Sequence, residues 1–128
     1  MKYLLDTHTL LWIVHNDPKL SSKAKSLYLD SNNEILFSAV GIWELAIKIS
    51  LNKLSIEEPL GYFVQNHIIG NDIKILDIEI KHILLLENLL FHHRDPFDRM
   101  LIAQAMIDKI PIITSDRMFD GYNVQRIW

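Results

Sequence analysis

Short runs of Leu, Ile and Val alternate along the chain with longer stretches of helical periodicity, and this alternation limits the fold more than any other sequence feature. The apolar runs predict β-strands at residues 2–5, 34–39, 73–76, 110–114 and 124–128. The periodic stretches predict helices at residues 7–15, 22–30, 41–51, 59–69, 79–90 and 96–109. The second run, EILFSA, is apolar on both faces, as in a buried parallel strand. The pattern therefore predicts an α/β fold with a mostly parallel sheet.

Length and composition restrict the class of protein. The 128 residues are enough for one domain with a hydrophobic core. No apolar run approaches the roughly 20 residues of a membrane span, and the apolar N-terminal segment contains Asp6. We therefore expect neither a membrane partner nor a signal peptide. The absence of cysteine excludes disulfides and thiolate metal sites and is compatible with a cytoplasmic location.

Acidic residues follow the predicted strands at several points. Asp6 comes directly after the first strand, and Asp116 closes the turn Thr114-Ser115-Asp116 after the fourth. Glu44 lies near the start of the helix after the second strand, and Asp98 lies in the first turn of the last long helix. Ligands of parallel sheets bind outside the carboxyl ends of the strands. The sequence therefore predicts that these four carboxylates converge at one edge of the sheet.

Such convergence is unfavourable unless something compensates the charge. Two carboxylates about 4 Å apart repel by roughly 4 kcal/mol at an effective dielectric constant of 20. Mg²⁺ or Mn²⁺ would remove the repulsion, because these ions prefer oxygen ligands. A bound ion also activates water and neutralises charge on a phosphate, which favours phosphodiester hydrolysis. The net charge of −3 is unusual for a protein that binds nucleic acid, but it becomes positive once four acids are assigned to a metal site.

Four segments together resemble the PIN domain family, in particular toxins of the VapC type. They are LLDTHTLLW, SAVGIWELAIKISLNKL, DPFDRMLIAQA and IITSD, in the order and spacing of that family across nearly the whole chain. The resemblance implies a single PIN domain over residues 1–128. Its fold would be a Rossmann-like three-layer α/β/α sandwich with a central, mostly parallel sheet of four to five strands. The acidic residues of the family fall on Asp6, Glu44, Asp98 and Asp116.

The same resemblance implies a function. Proteins of this type are Mg²⁺- or Mn²⁺-dependent endoribonucleases that act as toxins of type II toxin–antitoxin pairs. RNA would be the substrate, a cognate antitoxin protein the partner, and a homodimer the assembly. The apolar helical segments near residues 10–14 and 84–90 favour a homodimer, because they offer more hydrophobic face than one small sheet covers. Gly41 is a departure, since relatives often carry serine there, but it removes no acid.

Each acid also has a structural alternative. Asp95 precedes Pro96, which is typical of an N-cap followed by proline at the first helical position, so we assign Asp95 to the helix terminus and Asp98 to the metal site. Asp6 could be only a turn residue, although an acid within LLDTHTLL is costly to bury without compensation. Three further alternatives remain open: an i,i+4 pair of Glu44 with Lys48, an Asx-turn at Asp116, and replacement of Asp116 by Asp120.

Candidate substrate-binding residues lie beside the acids. Arg99 and Lys48 are suited to phosphate contacts, although solvated surface charge is the commoner role of such residues. Thr7 and Ser115 lie at strand ends, where a hydroxyl could hydrogen-bond a metal-bound water. The adjacent pair His92-His93 lacks a third zinc ligand at a suitable spacing, and we interpret it as part of a loop near the rim. Trp12 and Trp43 fall on apolar helical faces, which favours core packing over base stacking.

Two other functions compete with the ribonuclease. A phosphatase of the haloacid dehalogenase type also begins with an aspartate after the first strand, but it requires a second aspartate two residues later, where this chain has His8. A PIN-like module that binds RNA or protein without cleaving it is the other alternative. The presence of an acid at all four matching positions favours the enzyme.

Overall fold

A parallel five-stranded sheet forms the centre of the molecule in the computed structural model, which describes residues 1–128. The strand order is β3-β2-β1-β4-β5, and every neighbouring pair is parallel. The strands are β1 (Lys2–Leu5), β2 (Glu34–Ser38), β3 (Lys74–Leu76), β4 (Ile112–Ile113) and β5 (Arg126–Ile127). The predicted α/β fold with a mostly parallel sheet is confirmed.

Six α-helices connect the strands. They are α1 (Thr7–Val14), α2 (Ser22–Leu29), α3 (Ala39–Ser50), α4 (Leu60–Phe63), α5 (Ile80–Leu85) and α6 (Pro96–Asp108). The prediction of one continuous helix over residues 59–69 is wrong, because α4 passes into a π-helical turn at Val64–Ile68 and a 3₁₀ turn at Ile69–Asn71. The predicted fifth helix is also too long, since α5 gives way to a 3₁₀ turn that ends at Asn88.

Two hydrophobic clusters cover the two faces of the sheet. Alternate residues of β1 point to opposite faces, so that Leu5 joins one cluster and Leu4 the other. The first cluster includes Leu10 of α1 and Ala24 of α2, and the second includes Leu101 of α6. The fold is therefore the expected three-layer α/β/α sandwich. No helix of the molecule has the length and apolarity that a membrane crossing requires.

Gly41 accommodates the buried ring of Phe37, which explains the departure noted in the sequence. A Cβ at Gly41 would lie 2.4 Å from Cζ of Phe37. Phe37 is almost fully buried on β2, so its ring has little freedom to move. The glycine at the start of α3 is thus coupled to the size of the residue in the strand before it.

Replacing Gly41 with Ala is expected to destabilise the protein by up to about 2 kcal/mol. Overpacking of this kind costs about 1–3 kcal/mol, and the gain of about 1 kcal/mol in helix propensity offsets only part of it. Urea unfolding of the variant measures the change. The matched control is Gly61→Ala on α4, where no neighbouring atom lies within 4 Å of the added carbon. Equal stability of the two variants would contradict the packing argument.

Candidate active site

The candidate site lies at the carboxyl edge of the sheet, where the chain order changes direction between β1 and β4. Strands β2 and β3 continue on one side of β1, whereas β4 and β5 lie on the other. A change of this kind leaves a crevice at the strand ends, where ligands of open α/β sheets bind. Asp6 follows β1 at this point, and Asp116 follows β4.

Asp6 is buried and held by hydrogen bonds to both carboxylate oxygens. As the N-cap of α1, it accepts the Thr9 N–H at Oδ1 over 2.8 Å. The hydroxyl of Thr114 donates to Oδ2 over 2.6 Å. Burial raises the pKa of Asp6 above its ordinary value, and the hydrogen bonds from Thr114 and Thr9 offset part of that rise. Asp6 is therefore both a helix cap and a buried acid at the strand end.

Glu44 is the second buried acid, and its two oxygens have different partners. The hydroxyl of Thr7 donates to Oε1 over 2.6 Å, and Nζ of Lys48 lies 2.8 Å from Oε2. The i,i+4 pair with Lys48 predicted from the sequence is therefore present. Burial alone would lower the pKa of Lys48, but Glu44 and the charges of Asp95 and Asp98 raise it above its ordinary value. Lys48 thus keeps its positive charge beside the acids.

Asp98 and Asp116 meet at a histidine that the sequence analysis did not assign to the site. Nε2 of His93 lies 2.9 Å from Oδ2 of Asp116 and 3.1 Å from Oδ2 of Asp98. The potential ligand atoms of these three residues all lie within 4.8 Å of one another. The histidine pair lies in a loop, as predicted, but the sequence spacing did not reveal that His93 meets Asp116, which is 23 residues away.

The pKa of Asp98 is strongly raised in the site. Burial, together with the charges of nearby acids, raises its pKa from 3.8 to about 8. The acids that add to this shift are Asp95, Asp6, Glu44 and Asp116. All four predicted site acids therefore belong to one electrostatic cluster, although Asp6 and Glu44 lie outside the 4.8 Å group that contains Asp98 and Asp116.

Asp95 caps α6, as the sequence predicts. Its Oδ1 accepts the N–H groups of Phe97 and Asp98, over 2.8 and 3.0 Å, and Pro96 follows at the first helical position. Asp116 likewise caps a short turn by accepting the Met118 N–H over 3.0 Å, so its predicted Asx-turn exists together with its place in the cluster. A cap and a place in the cluster are compatible roles.

Arg99 is buried and holds the loop that carries His93. Its guanidinium donates to the carbonyl oxygens of Leu90 (2.8 Å), Leu89 (3.0 Å) and His93 (3.3 Å), and it lies 3.8 Å from the ring centroid of Phe91. These contacts give Arg99 a structural role. Its contact with substrate stays a prediction.

The remaining predicted residues lie in varied settings. Thr7 is buried against Glu44, Ser115 is half-buried next to Asp116, and Asp120 pairs with Arg126 over 2.9 Å instead of joining the cluster. The prediction that Trp43 packs in the core is wrong, because 56% of it is exposed. Trp43 precedes Glu44 on α3 and forms a T-shaped ring pair with Phe97 of α6, so it packs against a neighbouring helix and solvent instead of the sheet.

The acid cluster has the donor chemistry that Mg²⁺ or Mn²⁺ requires. Carboxylate oxygens dominate, several of them are held by caps or hydroxyl groups, and Asp98 carries a large pKa shift that a cation would reverse. The three surface cavities, about 220–310 Å³, are lined by other residues. Asp98 and Asp116 are partly exposed and lie outside any enclosed cavity, whereas Asp6 and Glu44 are buried, and such an edge suits a polymeric substrate better than an enclosed small molecule.

A second group of potential ligands lies at the far end of α6. It contains Glu79, His82 and Asp108. Asp108 is ten residues beyond Asp98 on the same helix, a distance of roughly 15 Å. Nδ1 of His82 accepts the Glu79 N–H over 2.9 Å, Nε2 faces Asp108, and Lys81 pairs with both acids. These contacts account for the group as a helix-capping network.

Comparisons with known proteins agree with this fold. A family model described as the PIN domain matches residues 3–124. No curated protein sequence matches the chain.

Similar solved structures include VapBC2 from Rickettsia felis bound to a promoter DNA fragment, with a TM-score of 0.72, 16% identity, and coverage of 99% of this chain and 98% of that chain. DNA-bound VapBC from Salmonella typhimurium has a TM-score of 0.72 and 18% identity, and the match covers 99% of this chain and 97% of that chain. VapBC-5 from Mycobacterium tuberculosis, a member of the VapBC family of toxin-antitoxin systems, has a TM-score of 0.61, 16% identity and coverage of 98% and 97%. At these identities the likeness shows the fold alone.

Proposed function

The chain belongs to the PIN domain family, and from that premise we propose that it is a metal-dependent endoribonuclease, the toxin of a type II toxin–antitoxin pair. Members of this family are generally nucleases, so hydrolysis of nucleic acid is the activity that membership itself indicates. The choice of RNA, of Mg²⁺ or Mn²⁺, and of the catalytic residues is our proposal. We further propose that residues 1–128 form one domain.

One observation carries the proposal: burial of Asp98, together with the charges of acids from four separate segments, raises the pKa of Asp98 to about 8. The fold therefore brings several negative charges close together. Lys48 is the nearby lysine, and it pairs with Glu44 alone. A structural network would ordinarily pair such charges, as the group around His82 does with Lys81. Four acids grouped around a single lysine at a crevice favour a site that binds a cation.

Asp98 and Asp116 would bind the ion directly. Asp6 and Glu44 would help to neutralise its charge and would accept hydrogen bonds from its water ligands. When bound, Mg²⁺ or Mn²⁺ supplies an activated water and neutralises charge on the scissile phosphate. The Thr7 hydroxyl fixes one oxygen of Glu44, and the Thr114 hydroxyl fixes one oxygen of Asp6. These contacts orient the carboxylates before the ion binds, which reduces the reorganisation needed in the reaction.

Lys48 is the chain's own cation nearest to the acids and the best candidate for contact with a substrate phosphate. About a third of its side chain is exposed, and it is influenced by Asp95 and Asp98 as well as by Glu44. Ser115 has an accessible position on the same rim. We propose both as substrate-binding residues, while Thr7 and Arg99 act mainly through Glu44 and through the loop that carries His93.

The proposed partners are an antitoxin and a second copy of the chain. The antitoxin proposal is supported by the similar solved structures, which are VapBC assemblies. Of the two apolar segments expected to favour a dimer, the one near Leu10 packs against the core of its own chain. The other remains exposed at Ile80, Leu84 and Leu90, and we propose it as the dimer surface, which sedimentation of the purified protein would test. An RNA-cleaving toxin acts in the cytoplasm, and that location stays a prediction.

Incubation of the purified protein with a mixed RNA pool tests the function. Cleavage is expected with Mg²⁺ or Mn²⁺, to disappear in EDTA, and to return when excess metal is added. Gel or sequencing analysis of the fragments would show internal cuts. Cleavage that persists in EDTA would contradict the metal mechanism. RNA binding without cleavage under any metal condition would favour the alternative of a non-catalytic PIN-like module.

A further inference from the structure

The imidazole of His93 has a fixed orientation between the acids. Only 7% of the residue is exposed, and its ring meets Phe119 edge-on. The backbone on either side is anchored as well, since the His93 N–H donates to the Tyr122 hydroxyl over 2.8 Å and the carbonyl accepts from Arg99. Tyr122 in turn donates to the carbonyl of Leu90 over 2.6 Å. The loop therefore presents the ring from a rigid base.

The hydrogen bond at Nδ1 of His93 determines whether Nε2 carries the proton. Nδ1 of His93 accepts the Asp95 N–H over 3.2 Å, so in the neutral ring the proton resides on Nε2. Nε2 then donates to Asp116, with Asp98 only 3.1 Å away. Direct metal binding at Nε2 would move the proton to Nδ1, where it would oppose the Asp95 N–H. The contacts thus favour His93 as a donor and disfavour it as a ligand.

We propose that His93 is a positioning residue: its Nε2–H donates to Asp116 and lies beside Asp98, so that both carboxylates are held toward a common point at which the cation binds. The inference rests on the proposed metal site and adds a residue to it. His93 contacts Oδ2 of each acid, and Oδ1 of Asp116 accepts the Met118 N–H, so the remaining lone pairs of both carboxylates are left for the ion. Groups that orient metal ligands in this way typically contribute 10–100-fold to metal affinity.

Substitutions at His93 separate hydrogen bonding from packing. In His93→Gln the amide N–H lies at a similar reach from the backbone and can still donate, so Mn²⁺ affinity measured by calorimetry should fall less than about threefold. In His93→Phe the ring remains but the donor is lost, and affinity should fall about tenfold or more. His92→Gln, at the exposed neighbouring histidine, is the matched control and should bind as wild type does. Equal affinity of wild type and His93→Phe would overturn the proposal.

Spectroscopy tests the same inference without RNA and without a comparison of metal affinities. Long-range ¹H–¹⁵N NMR of the metal-free protein, assigned with His93→Gln, should show the Nε2–H tautomer, and this tautomer should persist when Mg²⁺ is added. Pulsed EPR of the Mn²⁺-loaded protein should show no directly coordinated imidazole nitrogen. An Nδ1–H tautomer or a coordinated nitrogen lost in His93→Gln would overturn the proposal. If no metal binds to wild type, the proposed function fails, whereas the tautomer in the metal-free protein still tests the role of His93.

Discussion

Replacing Asp98 with Asn is expected to reduce metal-dependent RNA cleavage at least a hundredfold while stabilising the metal-free protein. Activity falls because an amide is a weaker ligand than a carboxylate, and loss of about 3 kcal/mol of charge stabilisation corresponds to more than a hundredfold in rate. Stability rises because Asn removes a charge that the folded state holds unfavourably. The same substitution therefore has opposite effects on activity and on folding.

The pH dependence of that stability follows from the pKa of Asp98. Its carboxyl has a pKa of about 8 in the folded protein against 3.8 ordinarily, so between these values the folded state binds more protons than the unfolded state. The stability that protonated Asp98 contributes is complete below pH 4 and is lost as the pH rises toward 8. The advantage of Asp98→Asn should thus be small near pH 4 and reach roughly 5 kcal/mol at pH 8.

Urea unfolding in EDTA at pH 5 and pH 8, together with RNA cleavage in Mn²⁺, measures both effects. Glu87→Gln, at an exposed acid outside the cluster, serves as the control and should change neither. Saturating Mg²⁺ should stabilise wild type but not Asp98→Asn, because only wild type keeps the carboxylate. A stability difference that does not change with pH, or undiminished cleavage, would refute the assignment of Asp98.

Replacing Arg99 with Met should destabilise the protein by roughly 2–4 kcal/mol. The substitution keeps an apolar stem but removes charged hydrogen bonds to three carbonyl groups, two of them to buried partners. The loop from Leu89 to His93 would lose its anchor, so metal affinity should fall as well. Arg99→Lys should recover little of the lost stability, since one ammonium group cannot make the several planar hydrogen bonds of the guanidinium.

Thermal unfolding and Mn²⁺ binding of the Arg99 variant provide the test. Arg117→Met is the matched control, because Arg117 is exposed next to the cluster and its loss should change stability by less than about 0.5 kcal/mol. If Arg99→Met unfolds with wild-type stability but cleaves RNA poorly, Arg99 acts on the substrate and not on the loop.

Local features of the sequence were enough to predict most of the fold. The bounds of β1 are as predicted, and Asp95 caps α6 as expected from Asp-Pro. The alternation of side chains in a strand, a helix cap and the effect of a proline each depend on a few consecutive residues. These features can therefore be predicted from the local sequence. The positions of the four candidate acids at strand ends and helix starts were enough to select them, the resemblance to PIN domains selects the same four, and the parallel sheet places those strand ends at one edge.

Tertiary structure decided which side chains are buried and which distant groups meet. His93 reaches Asp116 across the end of β4, Arg99 lies inside the loop instead of on the rim, and Trp43 is exposed despite its apolar surroundings in sequence. Gly41 is required only because the Phe37 ring packs beside it. Helical periodicity shows that a face is apolar, but burial depends on which element covers that face. That is settled by packing between segments far apart in the chain.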